Sequence, residues 1–237
     1  MINNYPLINI YEKSSLKAKI SSQLLYGEKF MILKKKKGWF KIKTSYDKYS
    51  GFIKARRFVK DMKITHKISS LKANLYSKPK RNSKITSKLP FCSLICVTNK
   101  TNNFFKFGKY WIKKNDVMPL NYKKDIFKDI RMFLNIPYKW GGKSYKGIDC
   151  SALVQLFFKF NNLYCPRDTK DQIKYFKKAN KIKKNAIIFW KGHVAVCLSK
   201  KNLIHAYGPK KKVLIMNINK TLKLIEETAK LKVIGIR

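Results

Sequence analysis

The sequence predicts two small all-β units followed by an α+β domain. Short β-rich runs alternate with turn residues throughout residues 1–119, and no long helical period interrupts them. The pattern changes in residues 120–237. There Leu153, Val154 and Phe157 fall at helical spacing, and two strand-like apolar runs follow further along the chain. A helix beside such strands indicates an α+β arrangement for the second half.

The first β unit is expected over residues 1–61. A strand is followed by a strand that opens on a glycine and an aromatic residue, and then by a Tyr-x-Gly-aromatic-Ile strand. These segments are Leu24–Phe30, Gly38–Ile42 and Tyr49–Ile53. Their order resembles that of bacterial SH3-like barrels. A unit of this size is near the lower limit for an independent core, so we expect it to dock on a neighbour.

A second SH3-like barrel is expected over residues 62–119, although it fits the pattern more loosely. Its predicted strands are Asn74–Ser77, Ser93–Val97, Phe104–Phe107 and Gly108–Ile112. The boundary between the two units is placed within residues 61–70. His66 lies in that stretch and is interpreted as an exposed linker residue.

One cysteine is placed where a nucleophile would be expected. Cys150 follows a glycine-rich loop and stands at or just inside the start of the predicted helix. Free amide hydrogens and the positive end of the helix dipole favour a thiolate at such a position.

Two of the three histidines lie close enough in sequence to serve that cysteine. His193 and His205 each begin or occupy a strand-like segment, and the residues from Ser199 to Asn202 between them read as a turn. A hairpin would place the two rings on neighbouring strands. One histidine can then take the thiol proton, while the second histidine orients the first. The alternative is a buried core cysteine with two satisfied strand histidines.

Five motifs occur in the order found in one family. They are Pro137–Gly142, Asp149–Ser151, Pro166–Thr169 with Gln172, Gly192–Val194 and Ile204–Ala206. Together they resemble the NlpC-type cysteine peptidases of bacterial cell-wall peptides. The resemblance implies a papain-like α+β fold, in which the helix that carries the cysteine packs on an antiparallel sheet. It also implies cleavage of the bond after γ-D-glutamate in murein peptides.

The resemblance assigns roles to the matching positions. Cys150 becomes the nucleophile, His193 the general base, His205 the residue that orients the base, and Tyr138 a group near the oxyanion. The substrate site is expected to include Asp149, Ser151, Trp140, Asp168 and Thr169. The chain departs from the family pattern at Ala152, where glycine is usual, and at Thr169, which replaces the commoner serine but keeps the hydroxyl.

Two SH3-like units before such a domain resemble intracellular enzymes that recycle murein peptides. In those relatives an acidic residue and a tyrosine of the first barrel meet the free amine of the substrate. The matching positions here are Glu28 and Tyr49. The alternative for Glu28 is a solvated carboxylate at a strand end, and for Tyr49 an aromatic residue of the barrel.

The charge of the chain raises the question of nucleic-acid binding. The formal net charge is +43, from 55 basic and 12 acidic residues. The lysines are spread over the whole length, only six of the basic residues are arginine, and isoleucine and asparagine are also abundant. An AT-rich genome would produce this composition at surface positions that accept many residue types. We therefore expect no specific nucleic-acid partner.

Other site classes receive little support. No apolar run approaches the roughly 20 residues of a membrane span, and no basic stretch followed by an apolar run marks a secretory signal at the N-terminus. Cys92 and Cys96 lack a second pair, so no zinc site and no other cofactor is expected. An odd number of cysteines without a disulfide pattern fits the reducing cytoplasm.

The predicted function is that of a cysteine peptidase. It is expected to hydrolyse the γ-D-glutamyl bond of murein-derived peptides that carry a free N-terminal L-alanine. One alternative is an amidase or acyltransferase that uses the same Cys-His pair. The other is a non-catalytic protein that binds wall peptide or nucleic acid.

Overall fold

The chain forms two compact units in the computed structural model, which describes residues 1–237. Met1–Lys123 make up the N-terminal unit and Lys124–Arg237 the C-terminal unit. None of the helices has the length and apolar character needed to span a membrane.

The first part of the N-terminal unit is a five-stranded antiparallel sheet. Its strands are β1 (Leu7–Tyr11), β2 (Ile20–Leu25), β3 (Phe30–Lys36), β4 (Trp39–Thr44) and β5 (Ser50–Lys54), in the order β2-β1-β5-β4-β3. Alternate residues of these strands point inward, and the buried set is Ile8, Ile10, Leu24, Phe30, Ile42 and Ile53. The predicted glycine-aromatic strand and Tyr-x-Gly strand correspond to β4 and β5. The predicted segment Leu24–Phe30 is instead the end of β2, a turn, and the first residue of β3.

The second part of the N-terminal unit contains eight strands. They are β6 (His66–Ile68), β7 (Lys72–Tyr76), β8 (Ile85–Pro90), β9 (Leu94–Ile95), β10 (Asn99–Lys100), β11 (Phe104–Phe107), β12 (Tyr110–Lys113) and β13 (Val117–Pro119). Five form the sheet β10-β11-β12-β7-β8 and three form the sheet β13-β6-β9. The division of this unit near residue 61 stays a prediction.

The two parts of the N-terminal unit meet at Gly27. Its φ is +80°, and an added Cβ would lie 2.3 Å from the carbonyl oxygen of Leu94. The Leu94 amide donates to the Tyr26 carbonyl at 2.8 Å, and the Tyr26 ring packs edge-on against Phe107. A side chain at residue 27 would therefore break a close backbone approach.

The interpretation of His66 as a linker residue is wrong. His66 begins β6, where it pairs with Ile95 on one side and Pro119 on the other. Its ring lies 5.0 Å from that of Phe105 and is partly buried. Strand β6 has only three residues, which is too short a pattern to recognise in a sequence.

The C-terminal unit is built on a five-stranded antiparallel sheet of its own. Its strands and helices are β14 (Lys143–Ser144), β15 (Gly147–Ile148), α1 (Cys150–Phe160), α2 (Thr169–Tyr175), β16 (Ile187–Trp190), β17 (His193–Cys197), β18 (Asn202–Tyr207), β19 (Lys212–Asn217), α3 (Ile218–Ala229) and β20 (Val233–Ile236). The sheet order is β19-β18-β17-β16-β20, and β14 pairs with β15 separately. Helix α1 packs against β17 and β18.

The helix and the hairpin predicted in this unit are both confirmed. Helix α1 runs for 11 residues and buries most of its length. Asn161 caps its C-terminal end, and the side-chain amide of this residue donates to the Phe157 carbonyl at 2.9 Å. Strands β17 and β18 pair through Cys197 and Leu203, and the Asn202 amide donates to Ser199 Oγ across the turn.

Candidate active site

Cys150 is the first residue of helix α1. Asp149 caps this helix, because its Oδ1 accepts a hydrogen bond from the Ala152 amide at 2.8 Å. The other carboxylate oxygen, Oδ2, accepts from the Gly141 amide at 2.9 Å. The cap therefore joins the glycine loop to the helix start and fixes the backbone that carries the cysteine.

The thiol of Cys150 is enclosed, and its proton is held tightly. Cys150 is 6% exposed. Burial raises its pKa to about 12, and the negative charge of Asp149 adds to the rise. Backbone hydrogen bonds from Val194 and Ser151 and the charge of Arg167 act in the opposite direction. The expectation that the helix start favours a thiolate is thus not met, because burial outweighs the helix amides. The cysteine is a thiol until a base takes its proton.

His193 and His205 form a direct hydrogen bond between the two strands of the hairpin. Nε2 of His193 lies 2.9 Å from Nδ1 of His205. The His205 ring is fully buried and stacks on Tyr207, with centroids 4.7 Å apart and planes within 7°. The His193 ring contacts Trp190 at 5.5 Å and Tyr207 at 5.7 Å. The two imidazoles lie with centroids 5.1 Å apart and planes tilted by 59°, and the aromatic rings pack around them.

Both histidines are neutral at pH 7. Burial lowers the pKa of His193 to about 4. Burial lowers the pKa of His205 to about 3, and repulsion from His193 adds to this. A neutral imidazole has a free lone pair, so His193 is able to accept a proton.

The hairpin brings His193 to the cysteine. The amide of Val194, the next residue along β17, hydrogen bonds the sulfur of Cys150. Because β17 also packs against α1, the Cys150 thiol and the two histidines belong to one site. The three residues come from α1, β17 and β18.

Tyr138 lies close enough to Cys150 for the two groups to interact electrostatically. Its amide donates to the Lys211 carbonyl at 2.8 Å, and it forms an isolated bridge with Ile148, two residues before Cys150. Burial raises the pKa of the Tyr138 phenol, and the charges of Cys150 and Asp149 raise it further. The phenol therefore keeps its proton and is a hydrogen-bond donor next to the cysteine.

Arg167 is a site residue to which the sequence analysis gave no role. It is 3% exposed. Its Nη1 donates to Asp149 Oδ1 at 3.0 Å and to Ser151 Oγ at 2.9 Å, and its Nη2 donates to Asp149 Oδ2 at 2.6 Å. Ser151 Oγ in turn donates to Asp149 Oδ1 at 3.2 Å. The polar atoms of Asp149 and Ser151 are thus bonded to Arg167 and to each other.

Gln172 supports the same network from helix α2. Its Nε2 donates to the carbonyls of Ser151 and Pro166, both at 2.9 Å. Gln172 is fully buried. It ties the first turn of α1 to the segment that carries Arg167.

The other predicted substrate residues of the C-terminal unit lie at two places. Asp168 and Thr169 open helix α2, and the Asp168 carboxylate makes no cap hydrogen bond. Burial raises the pKa of Asp168. Trp140 stands in the glycine loop and is 61% exposed, which leaves its ring open to a ligand.

Glu28 and Tyr49 belong to the N-terminal unit. Oε2 of Glu28 accepts from the Leu25 amide at 2.8 Å, and the residue is 7% exposed. The hydroxyl of Tyr49 donates to the Ser21 carbonyl at 3.4 Å. Each has a local contact in the first sheet, and their part in substrate binding stays a prediction.

Comparison with protein-family models gives two matches. A model described as the NlpC/P60 family matches residues 135–226, which include the whole Cys-His-His arrangement. A model described as a bacterial SH3 domain matches residues 7–60.

Similar proteins are known in several bacteria. The chain is 27% identical to the γ-D-glutamyl-L-lysine dipeptidyl-peptidase of Bacillus subtilis (strain 168), across 86% of this chain and 77% of that protein. It is 33% identical to a probable endopeptidase of Haemophilus influenzae, across 39% of this chain and 70% of that protein. The crystal structure of an NlpC/P60 family protein from Bacillus cereus ATCC 10987 has a TM-score of 0.84 and 19% identity, and the match covers 100% of this chain and 98% of that one. This last likeness is one of fold.

Proposed function

Because the chain belongs to the NlpC/P60 family and carries a bacterial SH3 domain, we propose that it hydrolyses the γ-D-glutamyl bond of short murein-derived peptides. Cys150 is the nucleophile and His193 the general base. The observation that carries this proposal is the hydrogen bond of 2.9 Å between His193 and His205, on a strand whose next amide bonds the sulfur of Cys150.

The reaction follows from the protonation states. Neutral His193 takes the thiol proton as the sulfur attacks the carbonyl carbon, so a buried thiolate never has to persist alone. The tetrahedral intermediate expels the amine, which leaves with the proton from His193, and a thioester remains on Cys150. Water then gives a proton to His193 and attacks the thioester, which releases the acid and restores the thiol.

The charge that develops on the carbonyl oxygen needs donors nearby. Tyr138 supplies a protonated phenol close to the sulfur. A donor aimed at the developing oxyanion is stronger in an enclosed site than in water. We assign this role to Tyr138, with His205 holding the ring of His193 in place.

The substrate is proposed from the relatives. The Bacillus subtilis relative is named a γ-D-glutamyl-L-lysine dipeptidyl-peptidase. We infer the same class of substrate here, with a free N-terminal L-alanine. Exposed Trp140 and the start of α2, with Asp168 and Thr169, would line the peptide. Asp149 and Ser151 act through their bonds with Arg167, and Glu28 and Tyr49 would meet the free amine.

Three finer assignments complete the proposal. The C-terminal unit has the papain-like arrangement of a cysteine helix packed on an antiparallel sheet. Residues 62–119 form a second SH3-like barrel after the first. The third assignment is a cytoplasmic location, with which the five free cysteines agree because the cytoplasm is reducing.

One incubation tests the proposed function. Purified protein is mixed with the tripeptide L-Ala-γ-D-Glu-diamino acid, and the products are identified by mass. We expect the dipeptide L-Ala-D-Glu and the free diamino acid. An intact tripeptide, or release of alanine alone, would refute the assignment.

A further inference from the structure

The outer nitrogen of His205 contacts a sulfur atom. Nε2 of His205 lies 3.4 Å from Sδ of Met216. His205 pairs with Leu214 across β18 and β19, so Met216, two residues further along β19, projects from the same face of the sheet. Met216 is partly buried and packs against the core of this unit.

A thioether can accept a hydrogen bond but has no proton to donate. The contact is attractive only when Nε2 of His205 carries the proton. A neutral imidazole has one N–H, so Nδ1 of His205 is then an acceptor. The hydrogen bond of 2.9 Å must therefore run from Nε2–H of His193 to Nδ1 of His205.

This direction decides whether His193 can act as a base. With its proton on Nε2, neutral His193 has its lone pair on Nδ1, the nitrogen that His205 leaves unoccupied. In the opposite arrangement His205 carries its proton on Nδ1, and His193 must accept there. The proton of neutral His193 then sits on Nδ1, and its only lone pair, on Nε2, is already occupied by His205.

A charged His205 would also leave neutral His193 without a free lone pair, because both nitrogens of His205 would donate and Nε2 of His193 would have to accept. Burial lowers the pKa of His205 and disfavours that state. Two neutral arrangements are left, and among the groups that contact His205 the sulfur of Met216 selects between them. The stacked ring of Tyr207 contacts the face of the imidazole and does not distinguish the two nitrogens.

We propose that Met216 is a positioning residue that fixes the proton arrangement of the His205–His193 pair, so that the lone pair of His193 is on Nδ1. The proposal rests on the proposed function for its effect on catalysis. The proton arrangement itself is a property of the folded protein and can be measured without a substrate.

The test uses ¹⁵N-histidine NMR near pH 7, which resolves the protonated nitrogen of each ring. The chain has only three histidines, so the spectrum is simple, and His66→Gln and His205→Gln variants assign it. In the wild-type protein we expect His193 and His205 both to carry the proton on Nε2. Met216→Leu keeps the apolar volume but removes the acceptor, and the form of His205 with the proton on Nδ1 should appear.

Activity provides the second measurement. Loss of one neutral hydrogen bond should lower the kcat of Met216→Leu about three- to tenfold with little change in KM. Met216→Gln supplies an amide oxygen of similar reach and should restore both the Nε2 proton and most of the rate. Met132→Leu, a methionine of the same unit on a different element, is the matched control and should leave the ring protonation and kcat unchanged.

The outcomes separate the two proposals. A wild-type His205 with its proton on Nδ1, or ring protonation that is the same in Met216→Leu and wild type, would overturn the role of Met216 whatever the activity. If the ring protonation changes as expected but the wild-type protein cleaves no γ-D-glutamyl peptide, the proposed function fails and the proton arrangement stands.

Discussion

The guanidinium of Arg167 and the carboxylate of Asp149, the residue before the proposed nucleophile, form a buried two-point ion pair. The two bonds measure 3.0 Å and 2.6 Å, and the exposed fractions of the side chains are 2% and 8%. Since Asp149 also caps the helix that begins at Cys150, the pair couples the fold of the C-terminal unit to the position of the sulfur.

Breaking this pair should destabilise the protein strongly. Arg167→Met leaves the carboxylate of Asp149 buried without its counter-charge, which costs about 3–5 kcal/mol of unfolding free energy. Arg167→Lys keeps the positive charge but loses the two-point geometry. Its unfolding free energy should therefore fall by less than that of Arg167→Met. Urea unfolding measures both.

The matched control is Arg131→Met, at an exposed arginine of the same unit. It should change stability by no more than about 0.5 kcal/mol. A loss below about 1 kcal/mol in Arg167→Met would show that the pair does not support the helix start.

The two histidines should differ when replaced. His193→Ala removes the base and should lower kcat/KM by about 10²–10⁴-fold. His205→Gln should keep a measurable part of the activity, because an amide oxygen can still accept from Nε2–H of His193. Steady-state kinetics on the tripeptide distinguish them, with His66→Gln as the control in the N-terminal unit. Full activity in His193→Ala would exclude its role as base.

Stability should fall in acid because of the same rings. The folded pKa values of His193 and His205, about 4 and about 3, lie below the usual 6.5. The unfolded chain therefore takes up protons first as the pH drops. The stability that depends on the neutral rings is complete above pH 6.5 and is lost progressively as the pH falls from 6.5 toward the folded pKa values of about 4 and about 3.

His205→Gln should remove part of this dependence. For the fully buried ring, the difference between pH 7 and pH 4 is on the order of 3 kcal/mol. The unfolding free energy of the variant, measured by urea at several pH values, should fall less steeply than that of the wild type. Parallel curves would mean that His205 is not buried in the neutral form.

A free amine on the substrate should matter if Glu28 recognises it. A charge-assisted hydrogen bond to a carboxylate is worth about 1.5–3 kcal/mol, so acetylating the peptide N-terminus should lower kcat/KM at least about tenfold. Glu28→Gln should lower kcat/KM on the free peptide. The difference in kcat/KM between the free and the acetylated peptide should become smaller as a result. Glu12→Gln, at an exposed carboxylate of the same unit, should do neither. Equal rates on both peptides would remove Glu28 from the binding site.

The parts of the fold that were predictable have strong local signals. Helix α1 has apolar residues at helical spacing and an aspartate cap, and the β17–β18 hairpin has two apolar runs around a polar turn. Strands β1, β6 and β8 were not identified, since each is short or partly exposed and depends on partners distant in sequence.

The chemistry of the site was only partly predictable for the same reason. Arg167 stood within a recognised motif, and the scarcity of arginine in a lysine-rich chain is the signal that would have identified it. The raised pKa of Cys150 and the contact of Met216 with His205 depend on burial and on strand register, neither of which a single sequence contains.

The most direct test of Cys150 as the nucleophile compares kcat/KM on the tripeptide for the wild type, Cys150→Ala and Cys96→Ala. Cys96 is a partly exposed free cysteine of the N-terminal unit and serves as the matched control. We predict that Cys150→Ala folds normally and loses about 10³-fold or more, while Cys96→Ala keeps the wild-type rate. Substantial hydrolysis by folded Cys150→Ala would contradict the central claim that this thiol attacks the γ-D-glutamyl bond.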